Sequence, residues 1–312
     1  MNKIDVSIII PVYFNEGSIE KTINTINKSV IENNNNLKFE IICIDDGSKD
    51  SSFTVLESIF NKNKGLIKLI KLSRNFGQVN AMLAGYQQSL GKCVINISAD
   101  LQDPPELMND MINEFFKNNT EIVIGTRLDR EESFFRKKTS NYFYSLIKKM
   151  SFPNMPNGGF DYALLGRKVV DIINSNKEAN LFWQGQILWT GFPVKFIPYR
   201  RVAREFGTSK WTFGKKIKYL IDGVMSYSFL PLRVMTVLGL ISFLIGIIYA
   251  LVITGTYFFG NVPFKGWAPI MIVLLVMFGI VFLMLGVIGE YLWRVLDQTR
   301  NRPHFLIEKE LK

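Results

Sequence analysis

The chain has 312 residues, 37 Lys and Arg against 27 Asp and Glu, and 48% hydrophobic residues. That balance excludes a disordered chain, a collagen and a disulfide scaffold, and the length suggests about two domains. A uniformly soluble globule is excluded as well, because Val234 to Thr254 and Ala268 to Gly289 are runs of 21 and 22 residues without a charge, each long enough to cross a bilayer core.

In chain order, Val6 to Val12, Phe39 to Ile44, Ile67 to Leu72, Cys93 to Ser98 and Ile122 to Thr126 are apolar runs of strand length. Stretches with helical spacing, such as Ile19 to Ile31 and Leu107 to Phe116, lie between them. This alternation predicts an α/β domain with a mostly parallel sheet. Ligands of such sheets gather beyond the carboxyl ends of the strands, and the polar clusters fall there. Tyr13-Phe14-Asn15-Glu16 follows the first strand, Asp45-Asp46-Gly47-Ser48 the second and Asp100-Leu101-Gln102-Asp103 the fourth. Taken alone, Asp45-Asp46-Gly47-Ser48 is also a good turn sequence; the repetition of polar clusters at three strand ends is what predicts a site.

An acidic cluster in a basic chain suggests a divalent cation bridging carboxylate and pyrophosphate. Magnesium needs only one or two carboxylates beside phosphate oxygens and water, so Asp100 with help from Gln102 or Asp103 would suffice. Asp45 and Asp46, at another strand end, are better placed for a ribose or base. Cys43 and Cys93 each sit in an apolar run and read as core residues, and His304 as incidental.

Aromatic and basic residues interleave from Glu132 to Met150 and again from Phe213 to Phe229, as in helices lying in a membrane interface or in ordinary amphipathic helices. Between Arg200 and Lys218 seven Lys and Arg stand against Glu205 alone, which suits anionic lipid or phosphate ligands. Lys265 is the only charge between the two apolar runs, whereas Arg233 precedes them and Arg294, Arg300 and Arg302 follow, so both termini are expected on the cytoplasmic side. Met1 to Tyr13 lacks the pattern of a secretory signal. Gly239, Gly246, Gly279, Gly286 and Gly289 would permit close helix packing.

Ile9-Ile10-Pro11-Val12-Tyr13-Phe14-Asn15-Glu16, Ile44-Asp45-Asp46-Gly47-Ser48, Ser73-Arg74-Asn75-Phe76-Gly77, Ala99-Asp100-Leu101-Gln102-Asp103-Pro104-Pro105-Glu106 and Gly207-Thr208-Ser209-Lys210-Trp211 together resemble the inverting family 2 glycosyltransferases of GT-A fold. With two C-terminal spans, the chain is most similar to the bacterial polyprenyl-phosphate (bactoprenol) glucosyltransferases, relatives of dolichyl-phosphate mannose synthase. The resemblance implies a cytoplasmic GT-A domain over 1–212, a juxtamembrane amphipathic helix over 213–230, a transmembrane hairpin over 231–292 with spans near 232–255 and 268–291, and a cytoplasmic tail over 293–312. It also implies that Pro11, Tyr13, Glu16, Asp45, Asp46, Ser98, Ala99 and Gln102 bind the nucleotide sugar. Asp100 and Gln102 would serve Mg2+ or Mn2+ and the diphosphate, Arg127, Arg204, Ser209 and Lys210 would bind phosphates, and Asp161 would stand beside the acceptor as candidate base.

The chain departs from this pattern at Ser98-Ala99-Asp100, where many relatives carry Asp-Ala-Asp, and at Tyr13-Phe14-Asn15-Glu16, one residue longer than the commoner form. Gln184 and Gln186 do not build the Gln-x-x-Arg-Trp pattern of processive synthases, which argues for a single transfer. The implied partners are a UDP-sugar, polyprenyl phosphate, the inner-membrane bilayer and a second copy of the chain, with no nucleic acid. Transfer from GDP-mannose or of a modified sugar stays open as an alternative, as does a non-catalytic membrane scaffold.

Overall fold

In the computed structural model of the chain, the described residues are 4–128, 145, 148, 152–156, 159–202, 213–258 and 268–312. They divide into two units, one of residues up to Asp222 together with Arg302–Lys312, the other Gly223–Asn301.

The first unit is built on strands β1 (Val6–Val12), β2 (Phe39–Asp45), β3 (Ile67–Leu72), β4 (Cys93–Asn96), β5 (Ile122–Arg127), β6 (Ala163–Gly166), β7 (Val194–Tyr199) and β8 (Ile307–Leu311). Among the described residues these form one sheet in the order β7-β5-β6-β4-β1-β2-β3-β8. Pairs β1/β2, β1/β4, β2/β3 and β5/β7 are parallel, while β6 and β8 run antiparallel to their neighbours. The five strands expected from apolar runs are all present. They are legible because both faces of the sheet are covered, so Ile8, Ile9, Ile10, Ile41, Ile42 and Ile44 are all fully buried and read as unbroken apolar runs. Each such side chain contributes about 1.5–3 kcal/mol by leaving water.

Helices α1 (Ile19–Ile26), α2 (Ser52–Lys62), α3 (Gln78–Gln88), α4 (Leu107–Asn118), α5 (Arg167–Ser175) and α6 (Trp183–Trp189) belong to the same unit. Ile19, Ile23 and Ile26 give α1 its buried stripe, which a π-turn over Asn27–Ile31 extends to Val30. Helix α3 approaches the sheet at Gly85, where a Cβ would lie 2.7 Å from the Ile9 side chain. Helix α7 (Phe213–Tyr227) follows.

The second unit holds helices α8 (Leu230–Phe258) and α9 (Ala268–Thr299). Within them Leu230–Gly255 and Ile272–Thr299 are long and apolar enough to cross a membrane. Unlike the core helix of a soluble protein, they leave large side chains exposed, among them Phe243, Ile248, Leu275 and Phe282. Of the five glycines expected to support close packing, Gly239 alone has a neighbour, Met284; nothing lies within 4 Å of the Cβ position at Gly246, Gly279, Gly286 or Gly289. After α9 the chain returns to the first unit, and nothing in the spacing of Ile307-Glu308-Lys309-Glu310-Leu311 marks this strand, whose residues are exposed apart from the half-buried Leu311.

Candidate active site

The carboxyl end of β2 abuts that of β1, with Val12 opposite Asp45, and the antiparallel β6 begins beside the end of β4, with Ala163 opposite Asn96. The residues after β1, β2 and β4 and those just before β6 therefore share one end of the sheet. From β2 through β1 and β4 to β6 are three strand spacings, about 14 Å.

On the β2 side, Asp45 is fully buried, and its Oδ1 accepts from the Ser48 amide at 3.2 Å. Its Oδ2 is buried with no hydrogen-bond partner. Burial pushes its carboxyl above the usual carboxylate range, against the pull of Ser48 and Lys71. An orphaned buried carboxylate oxygen of this kind calls for a ligand donor. Asp46 does something else. Its Oδ1 accepts from the Phe76 amide at 2.7 Å, and its Oδ2 from the Gly77 amide at 2.9 Å and the Asn75 side chain at 3.0 Å. It thus clamps the loop Ser73 to Gly77, and Gly47 makes room for that loop: its φ is 68°, and a Cβ there would stand 2.5 Å from the Arg74 backbone. Glu16 is exposed and accepts from the Ser51 amide at 2.8 Å, at the start of α2. Asp46 and Glu16, expected at the nucleotide, therefore have direct structural partners. Pro11 lies within β1, opposite Ile44, and Tyr13 packs edge-on against Phe14 at its end.

At the centre, the Ala99 carbonyl accepts from Ser18 Oγ (2.9 Å) and Thr22 Oγ1 (3.0 Å) of α1 and its lead-in, which fixes the approach to Asp100. The Asp100 Oδ1 accepts from the Gln102 amide at 3.2 Å across a turn whose middle residue, Leu101, has φ 56°. Phe14, at the end of β1, has φ 57°. Bulky side chains rarely take this conformation, which costs about 1–3 kcal/mol, and such strain gathers where a loop must present particular groups. Asp103, proposed from sequence as possible help to a metal, is turned elsewhere. It is 2% exposed and accepts from Tyr199 Oη (2.6 Å) and Ser98 Oγ (2.9 Å), with Arg201 Nε at 3.5 Å. Ser98, the departure from Asp-Ala-Asp, thus serves as a partner of Asp103. The described residues contain no group of three His, Cys, Asp or Glu that could hold a metal. One carboxylate beside a diphosphate still fits a magnesium-type ion, which takes most of its ligands from phosphate and water.

On the β6 side, Arg127 at the end of β5 donates from Nη2 to Asp161 Oδ2 at 2.5 Å and from Nε to Tyr199 Oη at 3.3 Å. Burial disfavours the Arg127 charge, but Asp161, Asp103 and Tyr199 together outweigh it and hold the guanidinium firmly protonated. Burial and the neighbouring Asp103 also push the Tyr199 phenol up. The Asp161 main chain is pinned by Asn96, whose side chain donates to its carbonyl. Asn96 accepts in turn from Tyr86, and Tyr86 from the Trp183 indole. Tyr199 is a central member of this site that no sequence pattern marks, since it ends a half-buried strand with no motif around it.

Helix α6 carries two buried glutamines, one of them tied to the residue before Asp161. Gln184 donates to the Phe160 carbonyl at 2.6 Å, leaving its Oε1 buried without a partner, and both amide atoms of the buried Gln186 are unpartnered. Trp183 is buried, whereas Trp189 is exposed. Cys43 and Cys93 are buried free thiols, as expected, and burial raises Cys43 to about 12. Arg204, Ser209, Lys210 and the rest of Gly207 to Trp211 lie outside the described residues, as does 132–150 apart from Ser145 and Lys148.

Residues 7–173 match the family model described as Glycosyl transferase family 2. The chain belongs to this family. Full-length relatives agree. An uncharacterized glycosyltransferase of Synechocystis is 37% identical over 97% of this chain and 95% of its own. The SfII prophage-derived bactoprenol glucosyl transferase of Shigella flexneri is 33% identical over 97% of both chains. Among solved structures, a mannosyltransferase of Pyrobaculum calidifontis in complex with GDP-Man and Mn2+ aligns at TM-score 0.46 and 16% identity, covering 64% of this chain and 56% of that one. This family 2 glycosyltransferase has a GT-A-like, mostly parallel sheet, with its polar loops gathered at one end and two apolar helices that could form a hairpin.

Proposed function

We propose that the enzyme transfers a single hexose, glucose in our reading, from a UDP-sugar to undecaprenyl (polyprenyl) phosphate at the cytoplasmic face of a membrane, with inversion at the anomeric carbon. The observation that carries this reading is end-to-end similarity, hairpin included, to a relative named bactoprenol glucosyl transferase. The geometry supports it. The unpartnered Asp45 oxygen suits a hydrogen-bond donor of the nucleoside, and Asp100 suits a divalent ion. Arg127 and Asp161 stand on the β6 side, where a sugar and an incoming phosphate would meet.

Magnesium or manganese held at Asp100, with Gln102 beside it, would neutralise charge developing on the departing diphosphate. The chain's own residues bind and orient. Asp45 accepts from the nucleoside, and Arg127 offers its remaining N–H groups to phosphate oxygens. A lipid monophosphate has a second pKa of about 6, so near neutrality the acceptor is already a nucleophilic dianion. Asp161 then orients the acceptor and balances the Arg127 charge.

Strand β8 supports the topology. Residues before and after the hairpin share one sheet, so a hairpin that crosses a bilayer must enter and leave on the same side. The single Lys265 in the connection favours the cytoplasm for that side.

The test is to incubate detergent-purified enzyme with undecaprenyl phosphate, magnesium or manganese, and separately UDP-glucose, UDP-galactose, UDP-N-acetylglucosamine and GDP-mannose, then look for a lipid-linked sugar by mass spectrometry. A product with UDP-glucose that is lost in Asp100→Ala supports the proposal. A product with GDP-mannose alone would replace it, and no product with any donor despite nucleotide binding would overturn single-hexose transfer from these donors.

A further inference from the structure

Strand β8 begins beside the carboxyl end of β3, on the nucleotide side of the site. It pairs antiparallel with β3, Leu69 opposite Leu311 and Lys71 opposite Lys309, with an irregularity between Lys71 and Leu72. Just before β8, the Leu306 carbonyl accepts from the Ser73 amide at 3.0 Å. Ser73 is the first residue of the loop that Asp46 clamps through Asn75, Phe76 and Gly77. Asp46 in turn adjoins Asp45, whose Oδ2 lacks a partner. A continuous series of backbone and side-chain links therefore runs from the C-terminal tail to the buried Asp45 carboxylate.

The tail is held less firmly than the loop it touches. Four of the five β8 residues are exposed, and its side-chain ties are Lys309 to Glu57 (2.6 Å) and Glu308 to Lys71 (2.9 Å), with both lysines near the Phe53 ring. Ion pairs with one partner exposed are weak, and an edge strand whose only half-buried residue is Leu311 opens locally more easily than the sheet unfolds. Seven residues join it to the end of α9.

We propose that β8 is a positioning strand for nucleotide-sugar binding. Docked on β3, it holds the Ser73 to Gly77 loop against Asp46 and so presents Asp45 to the nucleotide; undocked, it lets the loop relax and affinity falls. The proposal rests on the nucleotide-sugar reading above, because it takes Asp45 as a nucleotide contact.

The test compares the full chain in detergent with a deletion of residues 305–312, with Lys309→Glu, and with Lys309→Glu combined with Glu57→Lys. Hydrogen exchange at residues 74–77 is expected to rise about tenfold in the deletion, less in Lys309→Glu, and to return toward the parent rate in the charge-swapped pair, while β1 and β5 keep their protection. The Kd for UDP should rise in parallel, and the KM for the lipid phosphate should not. Unchanged exchange at 74–77 without the strand would overturn the proposal, as would an equal increase throughout the sheet or an unchanged Kd. Failure of the parent to bind UDP would count against the nucleotide reading and overturn the role in binding, while exchange would still report whether tail and loop are coupled.

Discussion

The Arg127 guanidinium and the Asp161 carboxylate meet at 2.5 Å at the mouth of the site, and Arg127 is the more buried partner, at 14% side-chain exposure against 51% for Asp161. A fixed cation thus underlies an accessible carboxylate. Tyr199 sets the guanidinium plane by accepting from Nε while its own hydroxyl donates to Asp103. The β6 side of the site is therefore built around a charge that stays on at every physiological pH.

If Asp161 orients and balances charge rather than removing a proton, Asp161→Asn should lower kcat by about a hundredfold, and by nearly the same factor at pH 6 and pH 8. A proton-removing role would make the defect shrink at pH 8, where the lipid phosphate is fully dianionic. Steady-state rates at the two pH values with saturating nucleotide sugar separate the outcomes.

Tyr199→Phe removes the hydroxyl shared by Arg127 and Asp103 and leaves the buried Asp103 with Ser98 and the longer Arg201 contact. A lost hydrogen bond to a buried charge costs about 1.5–3 kcal/mol. The variant should melt earlier by an amount matching that loss and turn over more slowly, with the KM for the nucleotide sugar little changed. Thermal unfolding followed alongside kinetics checks both.

Five of the eight described strands were legible because apolar runs mark a sheet covered on both faces, and the acidic loops announced the end of the sheet that carries the site. What escaped reading depends on the third dimension. Asp45 and Asp46 are neighbours of the same type, yet the pleat and the following turn send one to an unpartnered buried position and the other to the Ser73 to Gly77 loop. Tyr199, Gln184 and Gln186 lie far in sequence from the acidic loops, so no spacing rule could associate them. Strand β8 is exposed and highly charged; its place is set by backbone pairing with an otherwise open edge, which leaves no apolar pattern.

If Asp45 accepts from the nucleoside, as proposed, nucleotide binding depends on pH. Its carboxyl is raised by burial, and the ionised form is the one that accepts from a nucleoside donor. Binding therefore favours proton release. Affinity for UDP should fall as pH drops through the raised Asp45 value, above the usual range of about 3.9 for an aspartate. Free of ligand, the same shift has the opposite sign for stability: the folded state binds the proton better, so this residue's contribution is lost as pH rises from the ordinary carboxylate value through the raised one. Calorimetric titration with UDP between pH 4.5 and 8 tests the binding arm, with Asp45→Asn reporting the dependence that belongs to the UDP phosphate alone.

Gly47→Ala would force a Cβ to within 2.5 Å of the Arg74 backbone at a φ of 68°. Strain and displacement of the loop should together cost about 2 kcal/mol or more. Because the loop lies against Asp46, loss of UDP affinity should accompany the loss of stability. Gly65→Ala is a useful comparison, since it also has positive φ but nothing within 4 Å of its Cβ. It should show the backbone strain without the effect on UDP.

Gln186 gives the last test, because stability and function should move in opposite directions there. Both of its amide atoms are buried without a partner, and each such atom costs about 1–3 kcal/mol. Gln186→Met keeps roughly the volume and removes the polar atoms, so the variant should unfold at higher temperature. An amide with donor and acceptor both open can be satisfied by hydroxyls, whereas a phosphate, which only accepts, would pair with Nε2 and leave Oε1 alone. A more stable variant that still binds UDP but has lost the additional stabilisation given by UDP-glucose would assign Gln186 to the sugar. Equal gains from both ligands in the variant and the parent would leave it a buried amide with no part in recognising the sugar.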